Sequence, residues 1–331
     1  MMKKIKTLLA VILVSGLLAG CGSNSNVKTD NKKSSVDLSK VTLRVSETGW
    51  ANLDLGFKAA EIDNTPYKVE YSVFQGGNLV LEAMAGNHVD LGLTSEIPPL
   101  FGDNSNYKII AVEQANTLLQ ELVIPKGSSI KTVADLKGKK VAYISGTTAQ
   151  YFLSKILEKG GLSWKDINSV QMTTSDGLTA LIGGKIDALA SYGNGIITAH
   201  QNGSTTLESG EKILSGNFPL EATNDAIKDP AKHATITDYL KRLNKFYEWT
   251  RKNPDKWAQI TADNTHQDKA QALDTFEKGE KERPSKIVAN STKAIASQQD
   301  IADSFEKLGL FKEKLDVKTI WSDSFTKELN K

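Results

Sequence analysis

Apolar residues recur at Ala149, Phe152, Leu153, Ile156 and Leu157, the i, i+3, i+4, i+7, i+8 spacing of one face of an amphipathic helix. Just before them, Lys140–Tyr143 is a short apolar run with β-branched character, and Ser145-Gly146-Thr147-Thr148 is a turn ending in hydroxyls. Gly160-Gly161 supplies a C-terminal cap. The stretch Lys139–Gly161 therefore predicts strand, tight turn and helix. Hydroxyls and backbone N–H groups gathered at a helix N-terminus make a seat for an anion or a strongly polar head. The same residue types are also what a plain N-cap requires, and the local pattern does not choose between the two.

The alternation extends along the chain. Val41–Ser46 and Tyr67–Phe74 predict strands, with a short helical pattern over Leu53–Ala60 between them. Gln75-Gly76-Gly77 opens a helix through Ala85, with Leu79, Leu81 and Met84 as its apolar positions. Asp90–Leu93 predicts a short strand, followed by the polar loop Thr94-Ser95-Glu96, the breaker pair Pro98-Pro99 and a strand over Lys108–Val112. After Leu122–Ile124 and the turn Pro125-Lys126-Gly127 a second series begins. It comprises Val133–Leu136, Lys140–Tyr143, the helix from Thr147, Val170–Thr173, the helix Asp176–Leu181, Ala188–Ser191, Ile196–His200 and Thr205-Thr206-Leu207. Strands alternating with helices imply mostly parallel, helix-covered sheets. Beyond Leu214–Glu221 the pattern turns helical, over Thr237–Thr250, Asp255–Ala262, Asp268–Lys281 and Thr292–Lys307, with Pro230, Pro254 and Pro284 as breakers. Trp249 and Trp257 in this block read as packing residues.

Two segments repeat one plan. Leu81–Leu91 (LEAMAGNHVDL) and Leu178–Ala188 (LTALIGGKIDA) each give helix end, glycine turn, Val/Ile-Asp and strand. A polar loop follows each strand, Thr94-Ser95-Glu96 in one and Ser191-Tyr192-Gly193-Asn194 in the other. Ligands on open α/β sheets sit beyond the carboxyl ends of strands, so two such units offer loops to one shared cleft.

The N-terminus has a different texture. Met1–Lys6 is basic and Leu8–Leu18 is apolar but shorter than a membrane span. The run ends Leu18-Ala19-Gly20-Cys21, at the only cysteine among 331 residues. This resembles a bacterial lipobox, which implies a signal peptide over 1–20, a diacylglycerol thioether on Cys21, and anchorage on the extracytoplasmic face of the cell membrane. Residues 21–39 then form a polar Ser/Asn/Lys-rich tether, expected to be disordered. Formal net charge is +2, and removing Lys3, Lys4 and Lys6 with the leader makes it −1; neither value favours nucleic acid, which needs a basic face. Hydrophobic content of 39% and charged content of 24% suit a folded core. A single cysteine excludes an internal disulfide framework, and His88, His200, His233 and His266 make no metal-binding spacing. No metal and no cofactor are implied.

The residues also resemble a known family. Ala59–Tyr71, Leu81–Gly86, Pro98-Pro99, Ile130–Ala142, Gln298–Leu310 and Val317–Trp321, in this order and spacing, look like the aliphatic-sulfonate-binding proteins of ABC importers, within the wider nitrate, sulfonate, taurine and thiamine-precursor group. The resemblance covers about residues 41–321. It implies an α/β, two-lobed periplasmic-binding-protein-like fold of type II, with mixed or parallel sheets flanked by helices. The chain would cross between lobes twice, near Glu121–Ile124 and near Leu214–Glu221. Lobe 1 would comprise 41–122 plus 219–331, and lobe 2 would comprise 123–218, the pair closing on ligand by a hinge motion.

By position, the resemblance puts Gln75, Gly76, Gly77, Thr94, Ser95 and Glu96 on the lobe 1 side of the ligand. It puts Gly146, Thr147, Thr148, Tyr192 and Gly193 on the lobe 2 side, with Trp50 in the first loop. A sulfonate is ionised at any biological pH and offers three acceptor oxygens. Backbone N–H groups, hydroxyls and helix ends can satisfy it, each helix end contributing about 0.3–1 kcal/mol. Such a site suits a chain with four arginines, at 44, 242, 251 and 283, none near these loops in sequence.

Three loops depart from the family pattern. Tyr192-Gly193-Asn194 stands where many relatives carry aromatic-Asp-Pro, Ser95-Glu96 where glycine and aspartate are common, and Glu47-Thr48-Gly49-Trp50 is not the commonest first loop. Trp50 either stacks on a ligand tail or plugs the lobe. Glu96 pointing inward would repel an anion and suit an amine; base rates for charged side chains favour a solvated or capping carboxylate.

The resulting expectation is a lipid-anchored receptor for a small anionic or zwitterionic ligand, an aliphatic sulfonate first, delivering it to the transmembrane subunits of an ABC permease. Alternatives are the same receptor for taurine, nitrate or a pyrimidine precursor of thiamine. A desulfinase-like hydrolase is a remoter alternative, because that chemistry uses a cysteine nucleophile and the only cysteine here ends the lipobox.

Overall fold

Apolar runs bounded by glycine, proline and Asx turns become the strands, and the 3.6-residue patterns become the helices. The computed structural model describes residues 36–74 and 76–331; the leader, Cys21 and Gln75 lie outside them. The first series is β1 (Thr42–Thr48), α1 (Asn52–Ala59), β2 (Lys68–Phe74), α2 (Gly77–Ala85), β3 (Leu91–Leu93), α3 (Pro98–Phe101) and β4 (Tyr107–Gln114). The second is β5 (Gln120–Ile124), β6 (Lys140–Tyr143), α4 (Thr148–Lys159), β7 (Asn168–Gln171), α5 (Thr174–Ile182), β8 (Ala188–Tyr192), α6 (Asn194–Gln201) and β9 (Thr205–Ser209). The chain ends with β10 (Asn217–Thr223), α7 (Asn224–Lys228), α8 (Pro230–Lys252), α9 (Pro254–Thr265), α10 (Lys269–Glu282), β11 (Lys286–Val288), α11 (Thr292–Lys307) and α12 (Thr326–Leu329).

Two mixed sheets result. One runs β11-β4-β10-β3-β1-β2 and the other β7-β6-β8-β5-β9. β1 pairs in parallel with β2 and β3, and β6 in parallel with β7 and β8. β10 runs antiparallel to β3 and β4, and β5 antiparallel to β8 and β9. The chain passes from the larger sheet to the smaller at 115–119 and returns at 210–216. Glu121–Ile124, expected near the first crossover, lies inside β5, and Asn217–Glu221 is already in β10. Val36–Lys331 forms one compact unit.

Each sheet has its own core. Leu43, Val45, Phe57 and Leu91 pack against Tyr239, Leu240 and Phe246 of α8. The predicted face of α4 is wholly buried in the smaller sheet's core, with Ala149, Phe152, Leu153, Ile156 and Leu157 each no more than 2% exposed. Burial of each large apolar side chain contributes about 1.5–3 kcal/mol. A third cluster joins Ile97 and Leu100 to Ile301, Phe305 and Trp321, and takes in Tyr151 of α4.

Several local expectations change. Pro98-Pro99 does not break structure but starts α3, since proline lacks only an N–H that a helix start leaves unpaired anyway. Pro230 and Pro254 start α8 and α9 for the same reason, and Asp229 caps α8 by accepting from the backbone N–H groups of Ala231 and Lys232. Val133–Leu136 is a 3-10 turn closed by a Thr132/Asp135 capping box. On α2 it is Val80, with Leu81 and Met84, that enters the core, while Leu79 is exposed.

The internal repeat is geometric as well as sequential. Asn87 (φ 56°) and Gly184 (φ 63°) take the same left-handed turn after α2 and α5. Each turn is closed by paired backbone bonds, Asn87 N to Met84 O with His88 N to Ala83 O, and Gly184 N to Leu181 O with Lys185 N to Ala180 O. The aspartate that follows accepts from a strand N–H in both units, Arg44 N to Asp90 Oδ2 at 3.0 Å and Lys140 N to Asp187 Oδ2 at 2.8 Å. The two copies differ in burial: Asp90 is 1% exposed and also paired with Arg44 and Lys232.

Candidate functional site

Because β1, β2 and β3 are parallel, the turns after them share one edge of the larger sheet. Glu47 at the end of β1 is buried, and its Oε1 accepts from Leu53 N at 2.6 Å and Asp54 N at 3.0 Å, capping α1 from outside. Burial pushes this carboxyl up, while those two backbone bonds oppose the shift. Gly49 N donates to Phe74 O at 3.0 Å, tying the first turn to the second. Trp50 stacks on Trp257 of α9, with centroids 5.7 Å apart and planes at 26°, and Trp257 packs edge-on against Phe246. Trp50 is thus part of lobe packing, as Trp249 and Trp257 are.

Gly76 is the N-cap of α2 and Gly77 its first residue. Gly77 allows a close approach: a Cβ there would lie 2.8 Å from Pro98 Cγ and 3.1 Å from Thr94 Cβ. Gly77 and Thr94 are therefore brought together. Thr94 is buried and its hydroxyl donates to Glu221 Oε1 of β10 at 2.6 Å, while Ser95 stays half-buried.

On the smaller sheet, β6, β7 and β8 likewise present their turns on one edge. Gly146 has φ +67°, which favours glycine, and its N–H donates to Gln150 Oε1 at 2.8 Å. Thr147 Oγ1 donates to Ile144 O at 2.7 Å and accepts from Ala149 N at 3.2 Å. Thr147 is thus a true helix cap. Thr148, the first residue of α4, faces a cavity. Tyr192 at the end of β8 lies beside the hydroxyls of Thr174 and Thr147, at the starts of α5 and α4, and burial pushes its phenol up. Gly193 (φ +58°) then turns the chain away into α6.

The cavity of about 200 Å³ lies beside the return connection between the sheets. Of the described candidate residues only Glu96 and Thr148 line it, and the rest stand outside. The remaining wall includes Gln120 of β5, Ser215 and Asn217 of the return connection, and Ser297 and Asp300 of α11, none of which the sequence patterns singled out as site residues. Glu96 corrects the expectation of a solvated carboxylate: it is 5% exposed. Its Oε2 accepts from Ser215 Oγ at 2.5 Å and its Oε1 from Asn217 Nδ2 at 3.4 Å. Burial pushes the carboxyl up to about 7, against these bonds, one from Ser297 and the field of Arg283. Arg283, distant in sequence from every loop considered, donates to Ser215 O. The Glu96 carbonyl accepts from Gln298 Nε2 at 2.8 Å, and Gln298 Oε1 accepts from Trp321 Nε1 at 2.7 Å, so this loop is fixed to the C-terminal tail.

The same region joins the two sheets. Tyr151 OH donates to Asp300 Oδ2 at 2.7 Å and Lys155 Nζ lies 3.3 Å from it, so successive turns of α4 grip α11 through one carboxylate. Tyr151 packs edge-on against Phe305 of α11. Among the described residues no group of three or more His, Cys, Asp or Glu side chains is placed to hold a metal ion, and no helix is long and apolar enough to cross a membrane.

The pattern of the family described as NMT1/THI5 like matches residues 66–256, more than half of the chain. The chain belongs to this NMT1/THI5-like family. Relatives extend the match. A protein of Escherichia coli (strain K12) named for aliphatic-sulfonate binding is 29% identical over 259 residues, covering 77% of this chain and 79% of that protein. A protein of Bacillus subtilis (strain 168) with the same designation is 26% identical over 331 residues, 98% of this chain and 96% of that one. Among solved structures, the periplasmic aliphatic sulphonate binding protein SsuA from Escherichia coli superposes with a TM-score of 0.72 at 26% identity, covering 85% of this chain and 92% of that one. The two mixed sheets flanked by helices are thus the fold of this NMT1/THI5-like group, and these relatives are named as binding proteins, not as enzymes.

Proposed function

We propose that this chain is the extracytoplasmic solute-binding component of an ABC importer, capturing a small organosulfonate between the strand-end turns of its two sheets. In this reading lobe 1 is built on the larger sheet and lobe 2 on the smaller, with the boundaries in the connections 115–119 and 210–216 rather than after 122 and 218. The observation that carries it is the start of α4: a capped helix N-terminus at the carboxyl ends of the parallel strands β6, β7 and β8, with Thr148 at the cavity and Tyr192 close beside it. Helix-end N–H groups and hydroxyls suit an anion with three acceptor oxygens. The turns at Gly76-Gly77 and Thr94-Ser95 supply the opposing jaw, and the names of the sulfonate-binding relatives support the ligand class. The grip of Tyr151 and Lys155 on Asp300 would hold the lobes together around the ligand.

The same proposal places the protein on the outer face of the membrane, held by lipid on Cys21 and handing its ligand to the transmembrane permease subunits. Protein purified without added ligand and then denatured is expected to release a sulfonate detectable by mass spectrometry, and alkanesulfonates are expected to titrate calorimetrically. Binding of nitrate or an aminopyrimidine, with no response to any sulfonate, would reject the ligand class. Cys21→Ala is expected to move the protein from the membrane fraction to the soluble fraction; continued detergent-dependent membrane association would reject the anchor.

A further inference from the structure

Glu221 of β10 is 0% exposed, and no ion pair among the described residues includes it. Antiparallel pairing sets it opposite Gly92 of β3. A Cβ on Gly92 would lie 2.7 Å from Met84 Sδ, 3.0 Å from Val80 Cγ1 and 3.3 Å from Glu221 Oε2, so the carboxyl sits in the apolar layer between β3 and α2. Oε2 has no hydrogen-bond partner among the described residues. Tyr107 of β4, the titratable neighbour whose phenol Glu221 and burial both push up, is likewise unpartnered at its hydroxyl and offers no positive charge.

The Thr94 hydroxyl has one proton and two acceptors within reach, Glu221 Oε1 at 2.6 Å and Ser95 O at 3.0 Å. With Glu221 ionised, that proton goes to the acid and Thr94 has nothing left to donate elsewhere. With Glu221 protonated, the order reverses: the acid donates to Thr94 Oγ1, and Thr94 donates onward. Burial without a cation favours the protonated form and pushes the carboxyl well above its ordinary value. Thr94 also stands beside Gly77, at the start of α2, which no side chain caps. The starts of α4 and α5, in contrast, are capped by Thr147 and Thr173.

We propose that Glu221 is a positioning residue of the lobe 1 jaw: held as the neutral acid, it donates to Thr94 and so frees the Thr94 proton for an oxygen of the anion at the uncapped start of α2. This rests on the reading of the strand-end turns as a sulfonate site. A carboxyl kept neutral in an apolar layer can act as a hydrogen-bond donor beside an anion. Ionised, it would stand two hydrogen-bond lengths, about 5 Å, from the ligand oxygen and repel it. Glu221 touches no ligand atom and acts through Thr94.

The test is a double-mutant cycle on the affinity for a short alkanesulfonate, measured calorimetrically. Glu221→Gln keeps a neutral donor to Thr94 and is expected to bind within about threefold of wild type, whereas Glu221→Leu, which leaves the Thr94 proton to Ser95 O, is expected to bind at least about tenfold more weakly, as for a lost hydrogen bond to a charged group. On a Thr94→Val background, Glu221→Gln and Glu221→Leu are expected to give equal affinities. The proton itself is read in the unaltered protein, which keeps the test open should a Glu221 variant not fold. With carboxyl-labelled glutamate and bound ligand, one carboxyl resonance is expected to hold its protonated position at pH 8, where Glu96 and Glu113, both near 7, have ionised. The absence of any such resonance would overturn the proposal. So would equal losses for Glu221→Gln and Glu221→Leu, or a Glu221→Leu loss that is the same with threonine or valine at 94, which would make Glu221 a packing residue only. Sulfonate binding that Glu221→Leu leaves unchanged overturns this proposal and spares the sulfonate reading; failure of wild type to bind any sulfonate overturns that reading and this proposal with it.

Discussion

Glu96→Gln in the ligand-free protein isolates the energetic cost of the buried carboxyl. Its ordinary value is 4.5 and burial raises it to about 7 in the folded chain. Below 4.5 the group is protonated whether folded or not, so the wild-type chain has the full benefit of a neutral Glu96. Between 4.5 and about 7 the unfolded chain releases the proton while the folded chain retains it, so stability falls as pH rises, and it levels off above about 7. At about 1.4 kcal/mol per pH unit this window amounts to about 3 kcal/mol. Glutamine keeps the shape and stays neutral, so the stability difference between variant and wild type is expected to grow in the variant's favour by about 3 kcal/mol between pH 4.5 and 8. Urea denaturation at a series of pH values measures it, with equal slopes assuring comparable unfolded states. Glu113, also raised to about 7 by burial, gives wild type a second fall of the same sign. Comparing variant with wild type cancels that contribution. A difference constant within about 0.5 kcal/mol across the range would refute the assignment of Glu96 as a buried acid without a cation.

Further outcomes follow from the same packing. Asp90→Ala removes the carboxylate shared by Arg44 and Lys232 and is expected to destabilise by about 3–5 kcal/mol. Asp187→Ala, which removes a bond to Lys140 N, is expected to cost about 1 kcal/mol; equal melting temperatures for the two variants would contradict the unequal burial of the repeat. Gly77→Val drives a side chain into Pro98 and Thr94 and is expected to destabilise by about 1–3 kcal/mol while weakening sulfonate binding. Unchanged binding in a folded Gly77→Val protein would remove the α2 turn from the site. Thr147→Ala deletes the α4 cap and is expected to lower stability by about 1 kcal/mol, read by thermal denaturation.

The architecture was legible where pattern and packing agree. The apolar face of α4, the end of α11 and the repeated glycine turn with its aspartate all follow from spacing, since buried faces and left-handed turns leave a residue-level trace. Pro98, Pro230 and Pro254 begin helices while Pro284 follows the end of α10, because position relative to the first turn, not residue type, decides whether proline begins or ends a helix. Leu79 and Val80 traded places because adjacent apolar residues on a short helix leave the phase open.

The site was legible in part. Gly77 meets Thr94 as the strand order requires, and Tyr192 lies near Thr147 at the end of the neighbouring parallel strands. The cavity was not, because Glu96, Gln120, Ser215, Ser297 and Arg283 come from five separate segments and share no motif. The lone signal was Glu96 itself, a charged residue between a buried strand and a proline pair, and base rates pointed the wrong way. Trp50 illustrates the converse: its partner Trp257 lies about two hundred residues on, so no local pattern could reveal the stack.

The central claim is that the turns of both sheets converge on one sulfonate. Amide chemical shifts of isotopically labelled protein, followed while a short-chain sulfonate is titrated, test this most directly. The account predicts saturating shifts at Gly77 and Ser95 on one side and at Gly146, Thr148 and Gly193 on the other, all with one dissociation constant. Shifts confined to one sheet, or saturation at other surfaces with these amides unmoved, would contradict it.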